Sequence, residues 1–298
     1  MIDGAPVFLC NLCGRENADP SGPLDRETPS CNFCGSNVRT RAMLRALSLE
    51  LFGVALTVNE FPRIKSIRGL GTSDPPQYAD ILAQKFDYRD TFHHREPRFD
   101  LADPPGHALG TFDFIVSSEV FEHVTPPVER VFASAFQLLK PTGLLLLTVP
   151  YSVESSMKEH YPEIHDFGFV RLGDKVTLIN RTRGGAIQVF DDPVFHVQWG
   201  GDALEMREFN EGALKEMLGA HGFTTIRTYA EDEPRFGILH SERWSLPIAA
   251  RKGDFAFSQA AARDLIDYYR ITKQQCDNDL KRYQTSRLVR LLRKLALI

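Results

Sequence analysis

Two near-copies of one short motif, Cys10-Asn-Leu-Cys13-Gly and Cys31-Asn-Phe-Cys34-Gly, stand at the head of a chain whose only other cysteine is Cys276. Two residues between cysteines let both sulfurs converge on one ion, and the glycine after each pair permits the positive φ of a tight knuckle turn. Together the knuckles, with 17 residues between them, supply four thiolates, the soft tetrahedral set that suits Zn²⁺. Two matched pairs at this separation read as a zinc ribbon ahead of a pair of redox-active dithiols. No histidine or carboxylate occupies a further ligand-like position, so the expected shell is closed and the zinc structural. Cysteine gathered at one end of the chain also points to metal before disulfides.

The rest of the composition is that of an ordinary globular protein. Of 298 residues, 43% are hydrophobic and 25% charged, which excludes collagen-like, disordered and disulfide-dense chains. No apolar run approaches the roughly 18–20 residues that span a bilayer, and Met1 to Leu12 lacks the basic start and apolar stretch of a secretory signal. A cytoplasmic protein is expected. The net charge of −4 gives no overall basic field for nucleic acid. That total hides an asymmetry: Lys281, Arg282, Arg287, Arg290, Arg293 and Lys294 close the chain without an acidic neighbour, which leaves about −10 on the rest.

Along the chain, residues 1–45 form the ribbon and a linker helix. Thr40–Phe52 carries Met43, Leu44, Leu47, Leu51 and Phe52 at helical spacing, with Arg39, Arg41 and Arg45 expected on its wet face. Five basic and five acidic residues within 1–45 favour a docking or lid element over a nucleic-acid reader. Residues 46–253 alternate strands and helices. Ile64–Leu70 is predicted as a strand running into Gly69-Leu-Gly71-Thr-Ser-Asp74, and Tyr78–Phe86 as a helix. Thr91–His94 and Phe99–Leu101 are predicted as short strands, and Phe112–Ser118 as a longer one. Val128–Leu139 is an amphipathic helix, broken by Lys140-Pro-Thr-Gly143, and Leu144–Val149 a buried strand. Such alternation predicts an α/β fold, a doubly wound parallel sheet with ligands at the C-terminal ends of its strands. Residues 254–298 read as a helical basic tail, able to lie on an anionic membrane surface, to cover the protein's own apolar surface or to pair in a coiled coil.

The stretch Phe112-Asp-Phe-Ile-Val-Ser-Ser-Glu-Val-Phe-Glu-His-Val, followed by Leu138-Leu-Lys-Pro-Thr-Gly-Leu-Leu-Leu-Leu-Thr-Val-Pro150, resembles class I S-adenosylmethionine-dependent methyltransferases. Within them the chain looks like a bacterial branch with a leading zinc ribbon, often associated with surface-polysaccharide genes. The resemblance covers most of residues 60–252. It implies a Rossmann-like sheet completed by a helix at Phe209–Ala220, a strand at Thr224–Tyr229 and a last antiparallel strand at Trp244–Ala250. The implied cofactor, S-adenosylmethionine, carries no phosphate and needs no third glycine. Gly69 and Gly71 would admit its methionine moiety, and Glu96 and Asp100 would accept from ribose and adenine, with Asp74 and Asp87 as substitutes. Ser117 and Glu119 would face the cofactor and the substrate mouth.

Methyl transfer to a hydroxyl needs alignment and a proton acceptor. His123, His165 and His196 are the candidate bases, and residues 152–208, the insert after the fifth strand, are the expected acceptor wall. Glu119, Glu122 and His123 also match an ExxEH pattern that in some methyltransferases helps bind a divalent cation. The resemblance, through its association with surface-polysaccharide genes, implies O-methylation of a sugar or glycan intermediate. The alternatives are an RNA methyltransferase guided by the ribbon and a non-enzymatic scaffold.

Overall fold

The computed structural model describes residues 7–153, 156–198, 201–286 and 289, without the side chains of 196–198, 201, 202 and 284. Gly14 and Gly35 close the two knuckles at φ 72° and 67°, and β1 (Phe8–Leu9) pairs antiparallel with β2 (Glu16–Asn17). Asn37 then caps α1 (Val38–Phe52): its side chain accepts from the Thr40 amide, and the Thr40 hydroxyl accepts from the Asn37 amide. Gly53, at φ 72°, stops the helix.

The arginines of α1 correct the expectation of a wet face. Arg41 is fully buried, and the side chains of Arg39 and Arg45 are only 15% and 13% exposed. The helix is covered on both sides. Met43, Leu44, Leu47 and Leu51 pack on the central sheet, while Val38 and Ala42 pack against Phe236 and Ile238. Arg41 donates to Ser36 O, Ser30 Oγ and Gly237 O, and its guanidinium lies 4.6 Å from the Phe8 ring centre. A boundary at residue 45 therefore falls inside a helix that belongs to both ribbon and sheet.

Four parallel strands follow: β3 (Arg68–Thr72), β4 (Asp87–Thr91), β5 (Phe112–Ser118) and β6 (Leu139–Thr148), with α2 (Pro76–Lys85) after β3 and α3 (Glu129–Leu138) before β6. The first strand starts later than its apolar residues suggest, because Ile64 and Ile67 fill the core from the turn before it. The second ends at Thr91, where the sequence placed its beginning. Phe99–Leu101 forms no strand: Phe92 bridges Arg98, and Asp100 then closes a turn.

The insert comprises β7 (Tyr151–Ser152), β8 (Lys158–Glu159), a three-stranded antiparallel sheet of β9 (Asp166–Leu172), β10 (Lys175–Arg181) and β11 (Ile187–Asp191), and the hairpin of β12 (Phe195–Gln198) and β13 (Gly201–Leu204). β14 (Arg207–Asn210) returns the chain to α4 (Glu211–Ala220), which Asn210 caps. β15 (Thr225–Thr228) and the antiparallel β16 (Ile248–Arg251) complete a six-stranded sheet of order β15–β16–β6–β5–β3–β4. Strand alternation divides its residues between two cores. Phe114, Val116, Leu144 and Leu146 face α1 and α2; Ile115, Leu145 and Leu147 face α3 and α4.

α5 (Gln259–Thr285), capped by Ser258, follows the sheet, and Asp264 on it accepts from the amide and hydroxyl of Ser66. Apart from Val289, the basic segment at 287–298 lies outside the described residues. No described helix is long and apolar enough to cross a membrane.

Arg207 holds the insert to the sheet. It is fully buried, and it donates to Glu159 Oε1 at 2.6 Å and to the carbonyls of Phe121 and Val124 at 3.1 and 2.6 Å. Arg207→Ala removes the donor that ties Glu159 and the Val124 carbonyl to the insert and is expected to lower unfolding stability by about 3 kcal/mol, read from urea denaturation.

Candidate functional site

The C-terminal ends of the parallel strands open on a cavity of about 870 Å³. Its floor is Ser73–Gln77 after β3, Phe92–Arg95 after β4, and Ser118 and Glu119 after β5. The ribbon closes one side through Arg26, Glu27 and Ser36, with Arg39 and Thr40 of α1 beside them; Phe195 and Ala203 of the insert reach the other. Ligands are expected at this edge of an open α/β sheet, and a cavity of this size is typical of a small-molecule site. The ribbon is a wall of the site as well as an appendage.

Of the glycine pair, only Gly71 lies against polar groups of the cavity floor. A Cβ at Gly69 would overlap the rings of Phe114 and Tyr88, so this glycine serves ring packing inside the sheet, a correction to its expected cofactor role. A Cβ at Gly71 would strike Asp74, the Tyr88 hydroxyl and Asp90 Oδ1. Those groups form a buried acidic knot. Tyr78 donates to Asp74 Oδ1 at 2.7 Å, Tyr88 donates to Asp74 Oδ2, and the Asp74 amide donates to Asp90 Oδ1 at 2.9 Å. Burial, with the Asp90 charge beside it, raises the Asp74 pKa to about 8, so its carboxyl is largely protonated at neutral pH. Asp90 is also raised, chiefly by burial.

Glu96 and Asp100 lie apart from the cavity. Glu96 is exposed and accepts from the Arg98 amide, Asp100 accepts from the Ala102 amide, and neither lines the cavity. With β4 ending at Thr91, the acidic residue at the end of the second strand is Asp90, opposite Gly71. Ser117 is likewise one position from the cavity. Its Oγ accepts from Thr72 inside the sheet, whereas Ser118 Oγ accepts from Arg39 and lies 3.1 Å from the Thr148 hydroxyl.

Glu119 stands at the mouth with φ 55°, uncommon for a residue with a side chain and a form of backbone strain that gathers at functional sites. Arg26 donates to its two oxygens at 2.7 and 3.3 Å. Burial alone would raise its pKa, but the Arg26 and Arg39 guanidiniums hold it below the ordinary carboxylate range. Glu122 shows the opposite case. It is fully buried, its carboxylate oxygens have no hydrogen-bond partner, and burial together with the Glu119 charge pushes its pKa well up.

The expected histidines do not converge. His123 donates through Nδ1 to Leu204 O at 2.8 Å, its Nε2 lies 3.5 Å from Glu122 Oε1, and it does not line the cavity. His165 is exposed before β9, and His196 pairs with Ala203 in a hairpin whose side chain at 196 is not described. The sequence reading passed over His93 and His94, which do line the cavity, edge to face at 4.4 Å; burial, then His93 and Arg98, lower the His94 pKa. Nor do Glu119, Glu122 and His123 share one helical face: Glu119 turns to Arg26, and the other two sit in a 3₁₀ turn, Phe121–His123. Among the described residues, the only cluster arranged for a metal is Cys10, Cys13, Cys31 and Cys34. Their sulfurs lie within 4.8 Å of one another, with Cys10–Cys34 and Cys13–Cys31 at 3.7 Å. That matches the edge of about 3.8 Å expected for a tetrahedron of Zn–S bonds of about 2.3 Å.

Residues 72–228 match the family described as methyltransferase domain. No curated protein sequence matches the chain. Among solved structures, an S-adenosylmethionine-dependent methyltransferase from Clostridium acetobutylicum is 10% identical over 63% of this chain and 84% of its own, with a TM-score of 0.36. The 1,6-didemethyltoxoflavin-N1-methyltransferase of Burkholderia thailandensis, with 1,6-didemethyltoxoflavin and S-adenosylhomocysteine bound, is 17% identical over 81% of this chain and 97% of its own, TM-score 0.35. An amino pentose methyltransferase of Micromonospora echinaspora is 13% identical over 63% and 84%, TM-score 0.35.

Two measurements check this geometry. Elemental analysis is expected to find one zinc per chain, and Cys31→Ser to lose it together with several degrees of melting temperature. Asp74 supplies the second. The unfolded chain releases its proton near 3.8 and the folded chain near 8, so its contribution to stability is complete at low pH, shrinks as pH rises and is gone above that upper value. In Asp74→Asn, the fall in urea midpoint between about pH 5 and pH 8 is expected to be shallower than in the native chain.

Proposed function

The chain belongs to the methyltransferase domain family and is a methyltransferase, and from that premise we propose that it transfers the methyl group of S-adenosylmethionine to a hydroxyl of a sugar or glycan intermediate. The observation that carries this reading is the cavity: about 870 Å³, lined by carboxylates, guanidiniums, imidazoles and one insert phenylalanine. It has room for a cofactor and a small polar acceptor. An RNA acceptor has less support, because three arginines of the ribbon and α1 are engaged by the protein's own groups, although Arg15 is exposed. Arg41 is buried, Arg26 holds Glu119, and Arg39 holds Glu27 at 2.9 Å.

S-adenosylmethionine fits the groups at the strand ends and supplies an activated methyl when bound. The turn Ser73–Gln77 after β3 receives the cofactor's methionine end; Gly71 stays bare because Asp74, Tyr88 and Asp90 fill the space beside it, and Asp90 braces that turn through the Asp74 amide. The buried Asp74 carboxyl holds the turn in shape through Tyr78 and Tyr88. Glu119, kept ionised by Arg26 and Arg39, accepts the hydrogen bond of the acceptor hydroxyl and aligns its oxygen for in-line attack. His93 and His94 are the imidazoles placed to take up the proton. Zinc, held by the four cysteines, has a structural role: it fixes the ribbon that carries Arg26.

Calorimetry with S-adenosylhomocysteine is expected to show micromolar binding by the zinc-loaded chain. Glu119→Gln should leave that affinity within about twofold while lowering kcat about 100-fold. Transfer of labelled methyl to nucleotide sugars or lipid-linked glycans supports the reading; transfer to RNA alone overturns it.

A further inference from the structure

The insert carries an aromatic feature that the methyl-transfer chemistry does not use. Phe195, on the cavity wall, packs on Phe169 of β9 with ring centres 5.3 Å apart, and Phe169 packs on Phe167 at 6.0 Å. Phe167 and Phe169 are alternate residues of one strand, so they share a face. They are 36% and 45% exposed. The three rings therefore make a continuous strip from the cavity to the surface. Buried rings of this size are ordinary core; half-exposed rings in a row beside a cavity mark a recognition surface.

β9 is also an edge strand. It pairs with β10 on one side, and among the described residues nothing pairs with the other. Its outer main-chain donors and acceptors run beside the ring strip.

We propose that this strip is an extended acceptor subsite that takes the pyranose units of an oligosaccharide beyond the one being methylated. The proposal rests on the sugar reading above and sharpens it from a sugar to a chain of sugars. Pyranose rings present flat C–H faces that stack on aromatic rings, and hydroxyls around their rim that a bare strand edge can bind. A lipid chain would leave that polar edge buried and unsatisfied. A peptide added as a strand needs pockets between alternate side chains, whereas these rings touch one another and leave none.

The test uses labelled S-adenosylmethionine and a size-fractionated ladder, one to eight pyranose units, hydrolysed from the envelope polysaccharide of cells that express the chain. For the native protein, kcat/KM is expected to rise about tenfold or more from one unit to four and then level off. Phe167→Ser/Phe169→Ser should abolish that rise while S-adenosylhomocysteine affinity and turnover of the shortest acceptor stay within about twofold. Phe169→Leu, which keeps the apolar bulk but not the flat ring, should lose most of the rise and guards against misfolding as the cause. If acceptors are methylated with no dependence on length, or the dependence survives in the variants, the strip is no saccharide subsite and the sugar reading stands. If no fraction is methylated by protein that binds S-adenosylhomocysteine, the sugar reading and this subsite fall together.

Discussion

One buried guanidinium holds the molecule's parts in register. Arg41 has no exposure, yet its donors reach Ser30 and Ser36 in the ribbon and Gly237 near the end of the sheet, and its charge sits over Phe8. Burying a charge is costly unless its donors find acceptors, and here both terminal nitrogens do while Nε does not. That cost makes the arrangement specific. The ribbon can dock in one orientation only, the one that brings Ser30, Ser36 and Gly237 around the same side chain. With the ribbon so placed, Arg26 and Arg39 project toward the strand ends, and Glu119 finds its partners there. The cavity is thus defined as much by the N-terminal appendage as by the sheet it covers.

The legible parts of this architecture were those set by local chemistry. Cysteine spacing and the following glycines specify a four-thiolate cluster without reference to the rest of the chain. The amphipathic period of Val131, Phe132, Ala135 and Leu138 and the unbroken apolar run Leu144–Leu147 specify α3 and β6, because side-chain burial repeats with the backbone period. Glu119 could be placed near the substrate mouth because it directly follows a strand that the pattern marks clearly.

What stayed hidden depended on register and on distant partners. A shift of β4 by four residues moved the acidic position from Asp90 to Glu96, and a shift of one separates Ser117, tied into the sheet, from Ser118 at the cavity. Side-chain period in a strand is two, so the one-residue step from Ser117 to Ser118 exchanges inside for outside. The arginines of α1 look solvent-facing because their acceptors lie far away in sequence or in an irregular ribbon. The histidines resisted for a similar reason: nothing around His123 in sequence foretells the Leu204 carbonyl that engages its ring.

The contacts between ribbon and sheet also order events in time. The segment that closes the cavity is synthesised about 200 residues before its anchors: Gly237 for Arg41, and the Ser245 carbonyl for Arg26. The metal cluster is local and can form at once, while docking waits for nearly the whole sheet to be synthesised. The ribbon therefore precedes its docking surface in the chain, and the cavity gains this wall only after Gly237 and Ser245 have been made.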